Sequence, residues 1–140
     1  MKRNLNLLLI CSLLQAMFAY TVISKLAEFS EFRNAMRLQP IPATLASLLT
    51  YLLPFIEAIA VILLFQPFQK FGLWLSTILM ATFSLYIVLG MFGLLGKMPC
   101  SCGGILGKMP LGYHLAFNLF FLILSLLGTH ILKRKEVWKI

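Results

Sequence analysis

In this otherwise apolar sequence few side chains can do chemistry: Cys100 and Cys102 flanking Ser101, His114 and Asn118 one helical turn apart, and Glu57 and Gln15 inside long apolar runs. A Cys-x-Cys pair followed by Gly103 and Gly104 has the parts for thiol–disulfide exchange, because the glycines let the backbone bend and a partner approach. Lys97 and Lys108 favour the thiolate, which is the reactive form. Such a pair closes only through a tight, strained ring, and strained, exposed disulfides are oxidising and labile. Two other readings stay open: a static staple or free thiols, and two ligands of a metal site completed by His114. A zinc site needs a fourth ligand, and no third cysteine on that side supplies it.

The elements that must position these residues follow from composition. The chain has 140 residues, 61% of them hydrophobic and 11% charged, with 12 Lys+Arg against 4 Asp+Glu and a net charge of +8. So few charged side chains cannot cover the surface of a soluble domain that hides this much apolar matter. Residues 4–24, 38–69, 71–96 and 109–132 contain a single charge between them, Glu57, and a helical span needs about 20 mostly apolar residues. The expected architecture is all-α: a bundle of four transmembrane helices near residues 5–24, 44–65, 71–92 and 111–132, in one integral membrane domain with a basic tail at 133–140. The first run, although preceded by Lys2 and Arg3, is too long for a signal peptide and lacks a small-residue cleavage site, so it reads as a retained span. Between spans 1 and 2, Leu26, Phe29, Phe32 and Met36 recur at helical spacing among Glu28, Glu31, Arg33, Asn34 and Arg37, which predicts a short external amphipathic helix ended by Pro40 and Pro42.

Four spans put both termini on one side. That side holds Lys2, Arg3, Lys70, Lys133, Arg134, Lys135 and Lys139, and the other holds Lys25, Arg33, Arg37, Lys97 and Lys108. The basic excess places both termini in the cytoplasm of a bacterial inner membrane, and the cysteine loop then lies where disulfides persist. The basic charge reads as topology and contact with anionic lipid, with no soluble domain to bind nucleic acid. Cys11, inside the first span, reads as a small buried hydrophobe.

Polar residues fall in stripes within the spans: Ser12, Gln15 and Ala19; Ser47, Thr50, Pro54 and Glu57; Thr77, Ser84 and Met91; His114, Asn118 and Ser125. These faces are expected to meet in the bundle. An ionised Glu57 at that depth costs on the order of 3 kcal/mol, which favours a protonated carboxyl or a polar partner, and Gln15 lies at similar depth. Glu57 reads as a proton relay, as part of a quinone pocket with Gln15 and Asn118, or as a hydrogen-bonded strut between helices. His114, just beyond the cysteine loop, is placed to exchange protons with a cysteine.

Ser24-Lys25 closing the first span, the Phe-bearing amphipathic link, Pro54-Phe55-Ile56-Glu57, Cys100-Ser101-Cys102-Gly103-Gly104, and His114 with Asn118 together resemble the MauE family of methylamine-utilisation membrane proteins, itself grouped with DoxX-like proteins. The resemblance runs from about residue 7 to 130; Gly103 departs from it, standing where the family pattern has Phe. It implies a four-span inner-membrane protein associated with redox chemistry, with a role in maturing the disulfide-rich small subunit of methylamine dehydrogenase. The DoxX-like relation implies a membrane subunit linked to quinone reduction.

Self-contained quinone-linked disulfide generators use two cysteine pairs, and this chain has one. The reading is therefore a redox protein whose Cys100/Cys102 pair exchanges with a periplasmic thiol or disulfide partner, a thioredoxin-like protein or the substrate itself, or passes electrons to a quinone. The competing class is a non-catalytic assembly subunit of a quinone-linked complex. A small transporter is a weaker third, since one intramembrane carboxylate lacks obvious coupling partners.

Overall fold

The computed structural model describes residues 4–94 and 110–138, and all the regular structure within them is helical. The four long helices hold no proline but Pro54, and in hydrocarbon a helix is the way such a segment satisfies its own backbone. The helices are α1 (Leu5–Ala27), α2 (Phe29–Arg37), α3 (Ala43–Leu63), α4 (Gln69–Met91) and α5 (Leu111–Trp138). All but α2 are long and apolar enough to cross a membrane. The chain is a multi-pass membrane protein of the all-α class, with the short α2 between its first and second spans.

Two boundaries differ from expectation. α1 runs on to Ala27, and at Glu28 the backbone leaves helical geometry (φ −112°, ψ 45°) while its N–H donates to Ser24 O. Lys25 therefore belongs to the span. α5 continues to Trp138, so Lys133, Arg134 and Lys135 extend the last helix instead of standing outside it. Lys, Arg and Glu are good helix formers, and Lys135 suits the negative end of the helix dipole. Glu136 near that end meets Lys70 at 3.3 Å, which puts the α3–α4 turn and the end of α5 at one end of the bundle, called here the terminal end.

α2 buries Phe32 and Met36, and Phe29 meets Tyr51 of α3 at 5.7 Å between ring centroids. Glu31, Arg33, Asn34 and Arg37 stay exposed. Leu26 is exposed instead of joining this apolar face, because it sits in the last turn of α1. Beyond α2, Tyr86 of α4 donates a 2.7 Å hydrogen bond to Gln39 Oε1, which ties the α2–α3 link across the bundle.

α4 packs most extensively on α5 and α1 on α3, while α3–α4 and α1–α5 contacts close the ring. α1 is thus diagonal to α4, and α3 to α5. Leu9, Leu48, Phe55, Trp74, Ile78 and Phe120 face outward, whereas Thr50, Glu57, Ser76, His114, Asn118 and Ser125 are buried. That inversion suits a bilayer, where lipid solvates apolar side chains and helices associate through packing and polar contacts. At the α3–α4 turn the backbones approach closely: a Cβ on Gly72 would stand 2.6 Å from Leu63 C and Leu64 N.

Candidate functional site

Helical side chains lean toward the N-terminus of their own helix. On α1 that direction carries Lys25 back into the bundle, and on antiparallel α3 it carries Glu57 toward the α2 end, so the two lean together. Lys25 Nζ donates to both carboxylate oxygens, at 2.6 Å to Oε1 and 2.8 Å to Oε2. Gln15 Nε2 donates to Val61 O at 3.3 Å and so sets the α1–α3 register. By that register Lys25 is level with Tyr51, six residues or about 9 Å from Glu57 along the axis. A lysine near a span end usually extends outward to the interface, but this one folds inward, leaving Lys25 3% and Glu57 2% exposed. The Thr21 hydroxyl lies within hydrogen-bonding reach of the carboxylate and donates to Phe18 O at 2.9 Å. Above the pair, the Phe32 ring centroid is 5.5 Å from Nζ, a cation–π distance, so α2 lays an aromatic lid over the charges.

The other helices bring polar groups to the same depth. Thr77 donates to Ser125 Oγ at 3.1 Å; seven residues toward the α2 end on each helix stand Ser84 and Asn118, at one level across the α4–α5 interface. A Cβ on Gly128 would approach Ile10 Cγ2 at 3.1 Å, and counting from that contact places Asn118 near Tyr20 and His114 near Ser24. Thr21, Glu57, Ser84 and Asn118 therefore form one polar layer, with a residue from each span, and Lys25 and His114 lie about one turn further toward α2. His114 is 2% exposed and feels the Lys25 charge. Two buried atoms in this layer, Ser84 Oγ and Asn118 Nδ2, find no hydrogen-bond partner among the described residues. A buried orphan of this kind costs about 1–3 kcal/mol, so the layer is equipped to receive a further hydrogen-bonding group.

Several expected placements change. Gln15 does not bond Glu57; its amide goes to Val61 O, one turn nearer the terminal end, because the ammonium already occupies both carboxylate oxygens with stronger, charge-assisted bonds. On α3 the buried stripe is Ala46, Thr50, Pro54, Glu57 and Ala60, with Ser47 exposed. On α1 Leu14, Phe18 and Thr21 face the core, while Ser12 is exposed and Gln15 and Ala19 are only half-buried. Met91 is exposed. Cys11 is buried, as expected. Cys100 and Cys102, with Lys97, Lys108 and the two glycines, lie outside the described residues, and so does the metal reading that needed both cysteines. The described chain stops at Leu94, just past α4, and resumes at Pro110, just before α5, both at the end of the bundle where Lys25 and His114 lie. Lys25 is the functional candidate that sequence reasoning missed. The available signal was charge balance: one carboxylate in the spans, and one lysine immediately after the first apolar run.

The family model for methylamine utilisation protein MauE matches residues 3–131. No curated protein and no solved structure matches the chain.

Proposed function

This chain belongs to the MauE family, and we propose that it handles thiol–disulfide exchange through Cys100 and Cys102 on the outer face of a bacterial inner membrane. The supporting observation is the gathering of Lys25, Glu57 and His114 at the end of the bundle from which the cysteine segment leaves α4 and re-enters α5. Orientation is supported by the place of Lys25: as a residue inside the first span it leaves the count of loop charges, so seven basic residues on the terminal side stand against four on the other, which favours a cytoplasmic location for both termini.

In the proposed reaction a thiolate of a periplasmic partner, such as a subunit of methylamine dehydrogenase, attacks one sulfur of the Cys100–Cys102 disulfide and displaces the other as thiolate. The partner's second thiolate then attacks the mixed disulfide, leaving the partner oxidised and the loop pair as a dithiol that holds two electrons. The two protons released by the partner thiols end on the loop pair, and His114 carries one of them. A second thiol–disulfide protein takes the electrons in turn by the reverse exchange. The Lys25–Glu57 pair acts as a fixed, net-neutral dipole at that end of the bundle.

Asn118 Nδ2 and Ser84 Oγ, buried without partners among the described residues, favour a second reading in which they hold a carbonyl oxygen of a quinone. Such a group, when bound, accepts two electrons and two protons. Glu57, engaged by Lys25, and Gln15, turned to Val61, do not join that site. The non-catalytic alternative, an assembly subunit of a quinone-linked complex, leaves the same polar layer as interhelical glue.

The test is the redox state of Cys100 and Cys102 in intact cells, read with a membrane-impermeant thiol reagent before and after reduction, together with Cys100→Ser and Cys102→Ser variants. The expected result is labelling from outside after reduction and a mixed disulfide trapped by one single variant. Labelling only from the cytoplasmic side overturns the orientation. Full cellular activity with both cysteines replaced overturns the exchange reaction and leaves the assembly role.

A further inference from the structure

The terminal end of the bundle carries a second feature, at the opposite end from Lys25 and His114. A cavity of about 380 Å³ opens between the first three turns of α1, the α3–α4 turn and the end of α5. Its polar lining comprises Asn4, Ser12, Gln15, Gln66, Gln69 and Lys135, with no carboxylate among the described residues. Glu136, next to Lys135 in sequence, is held by Lys70, and Lys135 makes no ion pair among the described residues. Among the described residues the cavity therefore has one uncompensated cation and a set of amide and hydroxyl donors.

Depth orders these groups. Asn4 and Lys135 stand at the membrane-boundary ends of α1 and α5, while Ser12 and Gln15 lie roughly 12–17 Å deeper at 1.5 Å per residue. Leu8 and Ser12 are exposed on the outward face of α1, so the cavity opens sideways toward lipid as well as toward the boundary. Gln15 has one amide hydrogen committed to Val61 O and a second available. A cation at the boundary with neutral donors beneath it and a lateral apolar exit matches an amphiphile with an anionic head, acceptor oxygens below the head, and hydrocarbon chains beyond. A free soluble anion uses only the first of these three features.

We propose that this cavity binds one anionic glycerophospholipid. Lys135 and the carboxamides of Asn4, Gln66 and Gln69 hold the phosphate and the ester carbonyls just beneath it, and the chains pass Ser12 and Gln15 and leave over Leu8. The inference is independent of the cysteine chemistry.

The experiment uses the purified full chain in neutral detergent, titrated with phosphatidylglycerol, with phosphatidylcholine of the same chains, and with inorganic phosphate. Native mass spectrometry counts bound lipid, and thermal unfolding reads stabilisation. The expected result is one retained phosphatidylglycerol per chain and a concentration-dependent rise in Tm, with little effect of phosphatidylcholine and none of phosphate. Lys135→Gln lowers the preference for phosphatidylglycerol about fivefold, the effect of roughly one basic residue at a membrane surface. Lys133→Gln, which removes the same charge outside the lining, leaves the preference intact, and Ser12→Leu, which fills the deeper part, lowers retention of lipid. Equal retention of the two lipids, equal effects of the two lysine variants, or a matching rise in Tm with inorganic phosphate overturns the proposal.

Discussion

Lys25 and Glu57 meet inside the bundle although their backbones stand about 9 Å apart along its axis, because antiparallel α1 and α3 tilt the two side chains toward each other. The α1–α3 interface thereby gains a net-neutral, doubly hydrogen-bonded contact where lone charges are expensive. Register is part of what it specifies: a slip of one turn between α1 and α3 that carries the two backbones farther apart strands both charges.

The first prediction follows from that dependence. Removing one member leaves the other charge buried, at a cost of about 3–5 kcal/mol, whereas replacing both by apolar or neutral groups of similar size is often near neutral. Lys25→Met and Glu57→Gln are each expected to lower the thermal midpoint of the purified protein markedly, and the double variant to recover most of the loss. Additive losses in the double variant would show that the two residues do not act as a pair. Cellular activity separates the roles further. A fixed dipole tolerates the double variant poorly even where stability returns, while a strut tolerates it well.

A second prediction concerns the lid. The Phe32 face lies 5.5 Å from Lys25 Nζ, and a cation–π contact is worth about 0.5–2 kcal/mol depending on desolvation. Phe32→Leu keeps most of the apolar volume and removes the π face. It is expected to destabilise the protein by about that amount in the native background and by clearly less in Lys25→Met, as measured by thermal unfolding of the four combinations.

The legibility of this protein follows the same physics. Four apolar runs predicted four helices, since hydrocarbon leaves a backbone almost no other solution, and Phe32 and Met36 correctly marked the buried face of α2. His114, Asn118 and Ser125 were rightly placed on one buried stripe of α5. In the sequence Lys25 reads as an external charge because a basic residue just past an apolar run usually ends a span, and only the tertiary position of Glu57 draws it inward. Ser12 and Ser47 failed for a related reason: helical spacing tells which residues share a face, but not which of several faces meets the neighbouring helices.

Gly72 and Gly128 provide a contrast in backbone and side-chain crowding. A Cβ at Gly72 meets backbone atoms of Leu63 and Leu64 at 2.6 Å, whereas at Gly128 it meets the side-chain ends of Leu73, at 2.8 Å, and Ile10, at 3.1 Å. Side-chain ends rotate away and a packed turn does not. Gly72→Ala is therefore expected to destabilise by several kcal/mol, above the usual 1–3 kcal/mol of overpacking, and to reduce the amount of folded protein recovered in detergent. Gly128→Ala should stay within or below that range. Equal losses in thermal midpoint would contradict the close approach at the α3–α4 turn.

The orphaned pair in the polar layer gives the last prediction. Ser84 Oγ and Asn118 Nδ2 are buried without a partner among the described residues, and a buried polar atom in that state opposes folding, so its removal is expected to stabilise. Ser84→Ala and Asn118→Leu should raise the thermal midpoint of the isolated protein, by up to about 1–3 kcal/mol each, and should lower redox activity in cells, the exchange of stability for function common where a polar group is kept for a ligand. An internal water bridging the two atoms reverses the first sign, because its hydrogen bonds are lost with either substitution. The stability sign thus distinguishes a vacant acceptor site from a hydrated structural contact, and the activity change distinguishes both from passive glue. Two stabilised variants with undiminished activity would remove Ser84 and Asn118 from the functional site and leave Lys25, Glu57 and His114 as its buried part.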